Sequence, residues 1–376
     1  MQFTFTDEQE ELRRTMRRFL DEKSPTSEVR RLMETADGYD EAVWKQMSQE
    51  LGLAGLHIPD DVGGQGFSFV ELGIVLEEMG RALLCAPFFA TVCLAANAIL
   101  TAGTEDAKKK HLPGIASGET IATLALAEPS GRWDAGGIEA VAEETGDDYA
   151  ISGTKRFVVD GATASLIVVG ARLKGTTGED GVGLFAVSGD ADGLTRTALE
   201  PLDPTRKQAD LDLKGVRAEA IGTPGKDWPA LRKTLDQIAI CLSAENVGGG
   251  QRCLDMAVQY AKDRIQFGRP IGQFQAIKHK CADMLLQVES ARTAAYYAMW
   301  VAAKDDDELA TVAPLAKAYS SEAFFFAASE NIQVHGGIGF TWEHDAHLYF
   351  KRAKSSELLF GDGTYHRELL ATRLGI

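Results

Sequence analysis

The sequence predicts an α+β multidomain protein, with an N-terminal helical domain, a middle antiparallel β domain and a C-terminal helical bundle. Two changes of pattern predict it. Apolar residues recur at helical spacing up to about residue 118, the period shortens to that of strands from about 119 to 221, and helical spacing returns after Trp228. The expected domain bounds are 1–119, 120–225 and 226–376. At 376 residues the chain is long enough for two or three domains with sizeable cores.

The N-terminal part opens on a capping-box pattern, Thr6 with Gln9, followed by Leu12, Met16, Phe19 and Leu20 on one helical face. Segments 41–51, 68–82, 88–101 and 105–117 continue in that style between Gly- and Pro-rich breaks such as Pro59–Gly66. In the middle part, ATLALAE, YAISGTKRFVVDG, ASLIVVGAR, GVGLFAVSG and ADLDLKGV are β-rich runs split by Gly and Asp turns. No helical pattern separates them, which favours an antiparallel sheet or barrel over a parallel βαβ sheet. Residues 229–263, 273–304 and 309–335 then form long helices with few breakers. Gly248, Gly249 and Gly250 interrupt the first, marking either a close helix–helix contact or the close approach of a ligand.

The balance of 45% hydrophobic and 25% charged residues is that of an ordinary globular protein. A formal net charge of -16 argues against nucleic acid or an anionic membrane as partner. It leaves room for a local basic patch that binds a phosphate. The N-terminus lacks an apolar signal core, and no apolar run is long enough to span a bilayer. The five cysteines form no CxxC pair and read as small buried hydrophobes, so a reduced, cytoplasmic setting is expected.

Three segments carry possible chemistry. RIQFGRPIGQFQ, Arg264–Gln275, sets an Arg fork suited to phosphate beside an aromatic, although such a joint between helices often carries a plain surface Arg. QVHGGIG, Gln333–Gly339, places two glycines after a helix, where their N–H groups can face an anion or simply cap the helix. In HDAHLYFKRAKSSELLFGDGTYHR, Asp362 stands between glycines beside apolar residues, as a raised-pKa base or an ordinary turn residue. His344, Asp345 and His347 do not have HExxH spacing, and no metal is expected. GxGxxG, Walker, GxSxG and kinase signatures are absent, which disfavours a Rossmann dehydrogenase.

Taken together and in order, these segments resemble the acyl-CoA dehydrogenase family over nearly the whole chain. The specific pieces are RIQFGRPIGQFQAIKHKCADM, then QVHGGIGFTWEHDAHLYFKRA, with LAEPSGRWDAGGIEA similar to the family's TEPxxGSD segment. The branch resembled is a bacterial one whose subunits act on sterol side chains or other unusual acyl-CoAs. The resemblance implies a C-terminal four-helix domain and FAD as cofactor. It places Arg264, Gln266, Phe267, Gln275, Gln333, Gly336 and Gly337 on the cofactor across a subunit boundary. Thr364 and His366 follow the catalytic loop, and Phe157 and Val159 lie beside the flavin ring. It further implies an acyl-CoA substrate, a homotetramer or α2β2 heterotetramer, and electron-transfer flavoprotein as acceptor. The reaction implied is α,β-dehydrogenation.

The base expected from the resemblance is Asp362, in Asp362-Gly363-Thr364 where the family usually has Glu-Gly-Thr. Its loop is slightly longer than the common form, which offsets the shorter side chain. At the family's other base position stands Ile238; Glu245, further along that helix, is the alternative. Trp133 stands where Ser is usual and crowds the thioester path as a substrate-binding residue, and Val159 replaces a frequent Thr. A second reading is therefore a non-catalytic, cofactor-lending subunit of a heteromeric enzyme.

Overall fold

The computed structural model describes residues 5–376; the reading of the extreme N-terminus, residues 1–4, lies outside them. The N-terminal helices are α1 (Asp7–Lys23), α2 (Thr26–Met33), α3 (Glu41–Lys45), α4 (Phe69–Ala82), α5 (Asn97–Ala102) and α6 (Glu105–Ala116). The strands are β1 (Ala122–Ala125), β2 (Val141–Thr145), β3 (Asp148–Val159), β4 (Leu166–Leu173), β5 (Val182–Ser188), β6 (Leu194–Ala198) and β7 (Gln208–Ala220). Helices α7 (Trp228–Asp263), α8 (Gln275–Ala303), α9 (Leu309–His335), α10 (Ala346–Leu358) and α11 (Gly363–Leu374) follow. A two-residue hairpin, β8 (Ile265–Gln266) with β9 (Arg269–Pro270), joins α7 to α8. Helix, sheet, helix is thus the order of the chain. Among the described residues, no helix is long and apolar enough to cross a membrane.

The capping box at α1 is present: Thr6 Oγ1 accepts from Gln9 N, and the Gln9 side chain accepts from Thr6 N. Met16 and Leu20 of its apolar face are buried.

The described residues divide into two compact units, one of residues 5–31, 69–84 and 239–376, the other of residues 32–68 and 85–238. In the second, β4 pairs β5, β5 pairs β7, β7 pairs β3, β3 pairs β2 and β2 pairs β4, a closed ring of five strands. Four of these pairings are antiparallel, as expected; β2 and β4 run parallel. An odd ring cannot alternate direction all the way round, so closure forces one parallel contact. β1 adds a second parallel pairing on β4, and β6 an antiparallel one on β7. Alternate residues of the strands, among them Ile151, Val169, Phe185 and Leu211, fill the core.

In the first unit, Glu77 of α4 is buried and takes the guanidinium groups of Arg13 from α1 and Arg292 from α8, with the Tyr296 hydroxyl donating to it as well. α7 runs unbroken through Gly248, Gly249 and Gly250. A Cβ at Gly248 would strike the Glu77 carbonyl, one at Gly249 the Phe324 ring, and one at Gly250 would lie 3.3 Å from Val288. These glycines serve close helix packing, which settles the choice left open by the sequence. Among the described residues no cysteine is in a disulfide, and four of the five cysteines are buried.

Candidate functional site

The site residues fall on both units, and each set is described on its own. In the helical unit, two of the three chemical segments meet. Tyr260, one turn before Arg264, lies ring to ring with His335 at 4.3 Å, so the C-terminal ends of α7 and α9 are neighbours. Arg264, Gln266, Phe267, Gln275, Gln333, Gly336 and Gly337 are all exposed. Phe267 is 92% exposed and has φ of 52°, a left-handed backbone in which a bulky residue is strained. Arg269 stacks over Phe274 at 4.3 Å, bracing the same turn. No side chain caps the N-terminus of α8, which begins at Gln275. Gly336 ends α9 at φ 66°, and a Cβ at Gly336 or Gly337 would meet nothing. Backbone, guanidinium and aromatic are thereby offered outward, as an anion and a planar ring require. His335 itself is buried, its Nδ1 on the Asn331 carbonyl at 2.8 Å; burial pushes its pKa down, and it is a packing residue.

Asp362 lies in the bend between α10 and α11. It is half-buried and is the N-cap of α11, its Oδ1 accepting from Tyr365 N at 2.8 Å. This cap ties one oxygen of the carboxylate that stands between the two glycines. The apolar flank is also split, since Leu359 and Phe360 are buried while Leu358 is 55% exposed. Phe360 and Gly361 both have positive φ, 58° and 100°. Thr364 is exposed on the first turn of α11.

Two expected residues turn inward. His366 is 5% exposed and bonds the Phe360 carbonyl through Nε2 at 3.0 Å; burial, then the Lys317 charge, push its pKa down to about 3. It braces the bend from within. Glu245, the alternative base, is 6% exposed and paired with buried Arg352 at 2.9 Å, because the α7 face that carries it packs into the helical core.

In the β unit, Phe157 is 57% exposed, again with positive φ, 53°, and its N–H donates to Asp210. Val159 is 1% exposed, its carbonyl taking the Thr123 hydroxyl at 2.6 Å, so its side chain is closed off in this chain, against expectation. Trp133 sits on the loop between β1 and β2. With Ile138, Trp228, Leu231 and Leu235 it lines a small cavity of about 10 Å³. Buried charges fasten this loop. Glu128 accepts from the Glu139 and Ala140 amides at 2.9 and 3.1 Å and pairs with fully buried Lys155 at 2.5 Å. Arg172 donates to the Ala135 and Ile138 carbonyls at 2.7 and 2.6 Å. Burial pushes the Lys155 pKa down, and Glu128 pulls it back up.

Sequence reasoning missed Lys155, Arg172, Lys317 and Arg352. The available signal was a lone cation in an apolar run, as in ATVAPLAKAYSSEAFF. Among the described residues, no group of three His, Cys, Asp or Glu is placed to hold a metal ion.

Comparison with known proteins decides the family. Residues 6–119 match the acyl-CoA dehydrogenase N-terminal domain, 123–216 the middle domain and 225–375 the C-terminal domain. The chain belongs to the acyl-CoA dehydrogenase family. It is 35% identical to acyl-CoA dehydrogenase IpdE2 of Mycobacterium tuberculosis, over 94% of this chain and 93% of that one. Its fold matches butyryl-CoA dehydrogenase from Megasphaera elsdenii with TM-score 0.93 at 26% identity, over the whole of both chains. A chain of the ChsE4–ChsE5 complex from Mycobacterium tuberculosis matches with TM-score 0.90 at 27% identity, over 100% of this chain and 99% of that one. Acyl-CoA dehydrogenase chemistry therefore frames the residues above.

Proposed function

We propose that the protein catalyses α,β-dehydrogenation of an acyl-CoA thioester with Asp362 as the base and FAD as cofactor. The observation that carries this reading is the placement of Asp362. It is a half-buried carboxylate fixed at a helix N-cap, in a bend whose strained residues are held from several sides. The cap commits one oxygen to the Tyr365 amide, so proton transfer falls to the other. The thioester carbonyl acidifies the α-hydrogen, and Asp362 removes it as a proton. Bound flavin supplies the acceptor for the hydride leaving the β-carbon.

The residues present fit FAD. Arg264, the uncapped start of α8 at Gln275, and the open Gly336–Gly337 backbone suit its phosphates. Phe267 suits a planar ring; Gln266, Gln333 and Thr364 are exposed donors. Facing outward, the first group meets the cofactor of a neighbouring subunit, in a homotetramer or an α2β2 assembly. Phe157 borders the ring from the β unit, and Trp133 bounds the acyl end. Free thiols suit the cytoplasm, and electron-transfer flavoprotein is the acceptor.

A second reading is a cofactor-lending subunit paired with a different catalytic chain. The observations that favour it are the small cavity that Trp133 lines and the match to a chain of the ChsE4–ChsE5 complex.

The test is Asp362→Asn with anaerobic flavin reduction by a turned-over acyl-CoA. The expected loss is on the order of 10² to 10⁴ in rate. An unchanged rate removes Asp362 from the mechanism. Wild-type activity that appears only with a partner chain establishes the second reading.

A further inference from the structure

Lys317 stands in the middle of α9 and is fully buried. Four oxygens surround its ammonium and share its three N–H donors: Ser321 Oγ at 3.0 Å, the Ser356 and Glu357 carbonyls at 3.1 Å each, and the Gly361 carbonyl at 3.2 Å. Ser356 and Glu357 form the end of α10, whose last carbonyls lack helical partners. Gly361 immediately precedes Asp362. One cation therefore closes the end of α10 and holds the residue before the carboxylate. From the other side, His366 of α11 bonds the Phe360 carbonyl. The bend is fastened on both sides, although Phe360 occupies left-handed backbone that is strained for a bulky residue.

Burying an ammonium costs several kcal/mol after relaxation. Burial, opposed in part by the charges of Glu357 and Asp362, leaves the Lys317 pKa pushed down to about 7. The groups that face it are Ser321 on its own helix, Glu357 on α10, Asp362 on the bend and His366 on α11. An apolar side chain would fill this space without that cost, but it could not hold three carbonyls at once.

We infer that Lys317 is the positioning residue of the catalytic bend, fixing the Asp362 carboxylate by clamping the carbonyls of Ser356, Glu357 and Gly361. This rests on Asp362 being the base. Lys317 touches no reacting atom and acts through Asp362 alone. A misplacement of about 1 Å can cost on the order of 10²-fold in rate. Substrate affinity depends on other surfaces, so the loss falls on the chemical step.

The experiment is a double-mutant cycle of Lys317→Met and Asp362→Asn on the FAD-loaded protein. It is read by single-turnover flavin reduction, by KM for the acyl-CoA, and by amide hydrogen exchange over residues 358–364. Lys317→Met is expected to slow reduction on the order of 10²-fold, to leave KM within about threefold if positioning alone is lost, and to speed exchange in the bend. In the Asp362→Asn background it should cause no further loss. If Lys317→Met fails to fold, Ser321→Ala replaces it in the cycle, since it removes one partner of the ammonium; a smaller but equally non-additive loss is expected. A loss that adds fully to that of Asp362→Asn, or unchanged exchange in the bend, overturns the inference while the base assignment stands. Asp362→Asn reducing at the wild-type rate overturns both.

Discussion

At the ends of α7 and α9 the chain turns its polar chemistry outward, whereas between α10 and α11 it turns it inward. Arg264, Gln275, Gln333 and the Gly336–Gly337 backbone are exposed. Around Asp362, the carbonyls of Ser356, Glu357, Phe360 and Gly361 are each taken by a buried Lys317 or His366. The outward region is built to receive groups from outside the chain and gains little from its own packing. The inward region is built to hold one side chain still, at the cost of buried charge. Under the function proposed above, binding is left incomplete within the chain, while the geometry around Asp362 is completed within it.

The comparison is tested most severely in the buried core. Arg352 and Glu245 are paired with side chains 2% and 8% exposed. Arg352→Met should destabilise the protein by about 3–5 kcal/mol, because the buried ion pair at 2.9 Å is broken while the Glu245 carboxylate stays buried. Arg352→Met with Glu245→Gln should recover most of that loss. Urea unfolding of both variants checks it. Equal destabilisation by the single and double changes would show that the pair contributes by shape rather than charge.

This contrast also decides how much was legible in the sequence. The order of helices, strands and helices followed from a period that changes twice. The outward motifs were legible because glycine, Arg and exposed aromatic residues signal their roles locally. The inward contacts were not, because Lys317 and Ser356, Glu245 and Arg352, or Arg172 and Ala135 lie far apart in sequence. Hence the burial of Glu245, His366 and Val159 was not foreseen. The parallel β2–β4 contact was hidden for a similar reason, since it follows from closure of the ring and from no local pattern.

The bend should also show itself in the pH dependence of stability. His366 is pushed down to about 3 in the folded chain by burial, whereas an unfolded His titrates near 6.5. Between these values the unfolded state binds a proton that the folded state does not, so stability falls as pH drops from 6.5 towards 3. From pH 7 to pH 5 the loss due to this residue should be about 2 kcal/mol. His366→Gln keeps a donor near the Phe360 carbonyl and should flatten that limb. It will not abolish it, since His57, in the β unit, is likewise pushed down to about 4 by burial. Chemical denaturation of both proteins across the window gives the comparison. Identical slopes would show that His366 takes up its proton in the folded state.

The smallest expected effect lies at Phe267, and there the sign carries the argument. The ring is 92% exposed on a backbone at φ 52°, so it contributes little to packing and carries strain of about 1–2 kcal/mol. Phe267→Gly relieves that strain and adds freedom to the unfolded chain worth about 0.5–1 kcal/mol. The net change in stability should therefore be neutral to slightly favourable, within about 1 kcal/mol. Flavin retention should move the other way, with FAD released more readily on gel filtration, because an exposed aromatic in strained backbone earns its place through what it touches outside the chain. Opposite signs for folding and cofactor retention would mark this turn as a contact surface. If Phe267→Gly keeps its flavin as firmly as the wild type, the ring has no part in the cofactor site, and the outward reading of this face narrows to Arg264 and the helix ends.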